Sequence, residues 1–149
     1  MVFHGKWYEE VNVGESFGTS VTVTETHIVL GSGMFGDFNP LHVDEEFSKK
    51  SMFGGRILHG PAGFAIATGL ESRLGIKEGT AIAFLGMTWD LKGPIKIGDT
   101  IRVEQQVTSK RETKKPSQGI VFFHVALINQ RDEVVQEGEW KIMMIRKGA

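Results

Sequence analysis

The sequence predicts an α+β domain in which a curved, antiparallel five-stranded sheet wraps around one central buried helix. Three observations carry that expectation. Residues 61–74 form a nearly uncharged stretch rich in small side chains, which reads as one buried helix. Four apolar or alternating segments follow from Thr80 onward, and each reads as a strand. One further alternating segment, starting at Phe17, precedes all the helices.

In chain order, Trp7 and Tyr8 stand among charges ahead of the turn Asn12-Val13-Gly14-Glu15, and this lead-in is expected to lie across the domain. Phe17, Thr19, Val21 and Val23 then alternate with Gly18, Ser20, Thr22 and Thr24, the pattern of a half-buried strand. Thr24 is a suitable N-cap for a helix running to Phe35, whose apolar face is expected to hold Ile28, Val29, Gly33 and Met34. Gly31 and Gly33 each weaken that helix by up to about 1 kcal/mol relative to alanine, so packing must stabilise it. Asp44 caps a short helix over 45–50, with acidic residues first and lysines last, and 51–55 reads as a flexible connector.

The helix at 61–74 has proline at its tolerated first position and Gly75 as its stop, and is expected to be buried nearly all round. The next strand is expected to run through Leu91 with Ala81, Ala83, Leu85, Met87, Trp89 and Leu91 on one side, Ile82 and Phe84 making its early part covered on both faces. Ile101, Val103 and Val107 mark a third strand, 110–118 a basic hairpin tip, 120–128 a fourth strand, 129–132 a turn and 134–145 the last. One helix cannot bury both faces of five strands. A sheet curled around it buries the inner face and a second copy of the chain covers the rest, which is the hotdog architecture.

Composition excludes several function classes. The 149 residues suffice for one domain, 1–149, with a sizeable core. Lys+Arg of 17 against Asp+Glu of 18 gives net charge −1, so no global field favours nucleic acid or an anionic membrane. The absence of cysteine removes disulfides and thiolate chemistry and suits a reducing cytoplasm. No apolar signal core begins the sequence and no window approaches the ~18 apolar residues of a membrane span, so a soluble, unprocessed, cytoplasmic protein is expected.

The chemistry concentrates in Gly36-Asp37-Phe38-Asn39-Pro40-Leu41-His42 and in Gly55-Arg56-Ile57-Leu58-His59-Gly60-Pro61. A carboxylate and an imidazole five residues apart can divide proton work, and Asn39-Pro40 supplies the rigidity that holds them in one relation. The second run opens the buried helix and so presents its positive end. The two runs together read as an acid/base site facing a helix N-terminus.

These residues resemble the signature of the R-specific enoyl-CoA hydratases and the wider MaoC-like dehydratases, and the likeness extends over roughly 13–147. The resemblance implies a hotdog fold, at least a homodimer, and a site between the central helix and the partner subunit. It further implies reversible hydration of a trans-2-enoyl-CoA to the R-3-hydroxyacyl-CoA, with an acyl-CoA thioester as substrate and no cofactor or metal. Position by position it gives Asp37 and His42 as the catalytic pair, Asn39 as the residue that orients the loop, and Gly60 as the oxyanion-hole amide. Thr68 falls where relatives carry a site serine. Pro61 departs from the methionine often found there, which leaves the hole resting on Gly60.

Other readings stand beside this one. Within the same fold a thioesterase would attack the thioester carbonyl, and a non-catalytic hotdog module would only bind acyl-CoA. The Asp-x-Asn-Pro-x-His pattern favours the hydratase. His59, among apolar neighbours, is expected to orient rather than catalyse. A metal site from His42, Asp44 and His59 matches no familiar ligand spacing. Arg56 is a candidate for the CoA phosphates, as is the cluster Lys110, Arg111, Lys114 and Lys115, though for the cluster a solvated hairpin tip is the simpler reading. His4, His27 and His124 show no partner in sequence, and Thr68 can bond back to the carbonyl four residues earlier. Pocket depth depends on Phe64, Leu70, Leu74, Met87 and Trp89.

Overall fold

A computed structural model describes residues 5–149 of the chain; His4 lies outside the described residues. Tyr8–Glu10 form a short 3₁₀ turn whose Tyr8 ring packs over Gly119, so the lead-in crosses the sheet as expected. Strand β1 (Ser16–Thr22) precedes helix α1 (Glu25–Phe35), and two short helices, α2 (Pro40–Val43) and α3 (Glu45–Lys49), lead to α4 (Gly60–Ser72). Strands β2 (Ala81–Met87), β3 (Asp90–Leu91), β4 (Thr100–Glu112), β5 (Gln118–Ile128) and β6 (Val134–Ile145) complete the order.

The strands form one antiparallel sheet in the order β1-β4-β5-β6-β2, with the two-residue β3 paired to β6. Register shifts within β4–β5 and β5–β6 add local twist. The inner face carries Val103, Val125, Leu127 and Trp140, all at most 1% exposed, against Ala62, Ala67 and Leu70 of α4. This is the hotdog arrangement expected from the sequence. Among the described residues no helix is long and apolar enough to cross a membrane.

Four local expectations are corrected. The buried face of α1 is Ile28, Gly31 and Ser32, while Val29 and Met34 are 59% and 80% exposed. Helix α4 is covered on one side only: Ala62, Gly63, Ala67 and Leu70 are buried, and Pro61, Ala65 and Gly69 are open. The strand from Thr80 does not alternate through Leu91, because bulges at 81–83 and 84–86 rotate its side chains and it breaks before Asp90. Phe84 consequently meets the Phe64 and Trp140 rings edge-on. The basic hairpin tip is shorter than expected, since β4 continues to Glu112 and Lys110 bends its ammonium onto the Val11 carbonyl at 2.7 Å.

Beyond the C-terminal end of α4 lies a buried ion pair. Lys77 contacts Glu71, donates to Gln105 Oε1 at 3.0 Å and sits 4.0 Å from the Phe123 ring centroid. Burial pushes its pKa down, and the Glu71 carboxylate opposes that shift. Glu71→Leu strands the cation and should cost about 3–5 kcal/mol, whereas the double change with Lys77→Met should recover most of it. Urea unfolding of the three variants measures this; a single-variant loss below about 1 kcal/mol would show that the pair contributes little.

Candidate active site

The chain reaches the site through a tight turn. Helix α1 ends at Gly36, which adopts φ 68° and donates its N–H to Ser32 O at 2.9 Å. Asp37 Oδ1 then accepts from Asn39 N–H at 3.1 Å, and Asn39 Oδ1 accepts from Leu41 N–H at 3.0 Å. Asn39 thereby caps α2, with Pro40 in its first turn. From below, the fully buried Ser48 hydroxyl donates to the Pro40 and Leu41 carbonyls at 2.9 and 3.1 Å. Three side-chain anchors in a few residues leave His42 little freedom.

His42 lies with Nδ1 2.8 Å from Ile57 O. A carbonyl oxygen only accepts, so Nδ1 carries the proton and Nε2 presents a lone pair. That lone pair faces Asp37 Oδ2 at 3.7 Å. The separation is too long for a direct hydrogen bond, yet a water oxygen can sit about 2.8 Å from both atoms. Asp37 keeps 49% of its side chain exposed and His42 only 12%, so the pair opens to one side.

Behind the pair stands His59, 1% exposed. Its Nε2–H donates to the Asp37 carbonyl at 3.0 Å, with Ser32 Oγ 3.4 Å from the same nitrogen. Its ring stacks on His42 with centroids 3.9 Å apart and planes at 29°. His59 is also the N-cap residue of α4, so the next N–H in the chain is that of Gly60. Ala62 and Gly63 both donate to His59 O, at 3.0 and 3.3 Å, and Pro61 has no N–H. The Gly60 amide has no partner among the described residues and stands at the positive end of the helix.

A cleft of about 390 Å³ touches both His42 and Gly60 and is walled mainly by apolar groups, among them Met52, Leu91 and Ile95. Larger hollows elsewhere on the surface touch neither group. The site thus combines a lone pair, a carboxylate, a free amide donor and an apolar cleft.

Other residues singled out in the sequence fall as follows. Arg56 is engaged by two carboxylates, with Glu25 bidentate at 2.7 Å and Glu45 at 2.9 Å, and these pairs hold its pKa above the usual range. Its guanidinium ties α1 to α3, with three of its five N–H groups spent on these two carboxylates. Thr68 donates to the Ala65 carbonyl at 2.7 Å, three residues back rather than four, and does not line the cleft. Asp44 caps α3 by accepting from Phe47 N–H at 2.9 Å. Asp37, His42 and His59, not Asp44, are the groups whose possible ligand atoms fall within 4.8 Å of one another. Within the trio, His59 Nε2 carries a proton given to the Asp37 carbonyl, so that nitrogen offers no lone pair.

Two of the histidines without a visible partner have one. His27 Nδ1 accepts from Thr24 N–H at 3.0 Å and closes the start of α1, and His124 lies 3.2 Å from Glu137. Gln136 and Ser48 escaped notice. For Gln136 a signal existed: it shares strand parity with Trp140, Ile142 and Met144, which face inward, so a buried amide in need of partners was to be expected there.

The MaoC like domain model matches residues 9–125. The (R)-specific enoyl-CoA hydratase of Rhodospirillum rubrum is 32% identical over 144 residues, covering 95% of this chain and 94% of that one. Among solved structures, a monoamine oxidase regulatory protein from Archaeoglobus fulgidus superposes with TM-score 0.89 at 31% identity, covering 99% of each chain. A MaoC-like dehydratase from Rhodospirillum rubrum gives 0.88 at 30% identity, covering 97% of this chain and all of the other. The hotdog sheet, the two sequence runs and these similarities agree: the chain belongs to the MaoC-like domain family, whose relatives include a hydratase and a dehydratase.

Proposed function

We propose that the protein is a hydro-lyase that adds water reversibly to a trans-2-enoyl-CoA to give the R-3-hydroxyacyl-CoA. The observation that carries this reading is the 3.7 Å gap between Asp37 Oδ2 and His42 Nε2, with His42 lining the same cleft as Gly60, whose N–H has no partner among the described residues. A water held in that gap gives one proton to the pair as its oxygen bonds to C3 of the thioester. The C2=C3 electron pair moves toward the thioester oxygen, where Gly60 N–H and the helix end stabilise the charge. The proton returned to C2 comes from the same pair, so O and H add to one face of the double bond. In reverse, the steps expel water. The likeness to a named (R)-specific hydratase supports both the substrate class and the R configuration.

The working unit is proposed to be a homodimer. Ile82, Phe84, Leu85 and Met87 are 38–49% exposed on β2, an edge strand of the sheet. The open side of α4, with Pro61, Ala65 and Gly69, adds a surface of small side chains. An apolar edge left bare would invite uncontrolled pairing, and a second copy of the chain covers it with the same strand.

Crotonyl-CoA followed at its enoyl-thioester absorbance, together with a free-thiol assay, separates the alternatives. Loss of the band without thiol release is expected, and thiol release would instead indicate a thioesterase. Asp37→Asn and His42→Ala should each lower turnover by more than ~100-fold with the circular dichroism spectrum unchanged. Near wild-type rates in either variant would remove that group from the mechanism. On dilution, activity should fall together with the dimer in sedimentation; a fully active monomer would refute the shared-site assembly.

A further inference from the structure

The N–H of Gly60 is useful only if it points into the cleft, and glycine is the residue least able to hold a direction by itself. On its N-terminal side the buried His59 ring fixes the chain. On its C-terminal side the contact comes from β6. Gln136 is 3% exposed, and its amide has one possible orientation. Trp89 Nε1 can only donate, and it lies 2.9 Å from Gln136 Oε1, so the NH₂ group faces the other way. There it donates to the Gly60 carbonyl at 3.1 Å. The side chain reaches that carbonyl through a notch at Gly63, where a Cβ would lie 2.3 Å from the amide nitrogen. Leu91 closes the remaining side, since a Cβ on Gly60 would come 2.8 Å from its Cδ1.

We propose that Gln136, oriented by Trp89, is a positioning residue that sets the direction of the Gly60 amide and thereby the strength of the oxyanion hole. The inference rests on the hydration reading of the site. A glutamine serving only the core would need partners for both ends of its amide, but any nearby carbonyl would serve its NH₂ group. Here the donor end is spent on the carbonyl of the very residue whose N–H is free, and Gln136 lines the cleft beside His42 and Gly60. Holding that carbonyl fixes the Gly60–Pro61 peptide plane and so constrains ψ of Gly60, one of the two torsions that place its N–H.

Two readouts test this, one of them independent of turnover. In Gln136→Met, which keeps length but removes both hydrogen bonds, the Gly60 amide signal in a ¹⁵N–¹H spectrum should shift and broaden. With crotonyl-CoA, kcat should fall by about 10- to 100-fold with KM within about 2-fold, the pattern of an interaction realised in the transition state. Trp89→Phe leaves the Gly60 bond in place but frees the amide to rotate, so it should move both readouts in the same direction by less. It also carries the test should Gln136→Met fail to fold. An unchanged Gly60 signal, or an unchanged kcat in a folded variant of an active enzyme, overturns the proposal. Should the wild-type chain itself not hydrate crotonyl-CoA, the hydration reading fails, and with it any catalytic role for Gln136. The amide signal then still decides whether Gln136 orients Gly60.

Discussion

The hydrogen bond from His59 to the Asp37 carbonyl is the contact on which the rest of the site depends. Its donor is a buried ring, stacked on His42 and covalently one residue from the free Gly60 amide, so a single side chain sets carboxylate, imidazole and helix end in one frame. The other ring nitrogen, Nδ1, has no partner among the described residues and lies against Gly31 of α1. A Cβ at Gly31 would stand 3.1 Å from that nitrogen. The helix-weakening glycine therefore has a structural purpose, because α1 can approach the ring closely only there. Gly33, two residues on, has open space around it, and nothing in the structure explains it.

Stacking also fixes the orientation of His42. Its ring lies over the His59 ring on one side and near the Asp37 carboxylate on the other. Its Nε2 stays turned toward Asp37, since the second nitrogen is already committed to Ile57. The backbone of Ile57 is in turn held by Leu41, at 3.2 Å, and by a bridge to Lys96, so the His42 imidazole is anchored from both runs of the motif.

How much of this could be read in advance follows from the range of each interaction. Local signals sufficed for α1, which starts after Thr24 and stops at Gly36, and for β6, whose bounds at 134 and 145 are those expected. The two motif runs also disclosed Asp37, His42 and Gly60 as groups of one neighbourhood. What could not be read was set by partners distant in sequence. Arg56 looks like a free cation until Glu25 and Glu45 are brought to it, and the bulges of β2 depend on its pairing with β6. The open side of α4 was unreadable for another reason: small apolar residues look the same whether they meet the chain's own sheet or a second copy.

Pro61 shows how the start of α4 is built around one donor. A residue with an N–H there would offer a second donor at the mouth of the helix. Yet the Ala62 and Gly63 amides are already turned back onto His59 O, so the first turn closes tightly and presents nothing else to the cleft. Proline fixes φ at the helix entry and costs nothing in hydrogen bonding at that position. On the proposed reading the whole burden of stabilising negative charge then falls on one amide, whose own residue has no side chain to steady it. An arrangement with a single donor tolerates little angular error, which explains why Gly60 is enclosed by a buried histidine before it, a leucine over it and a buried glutamine behind it.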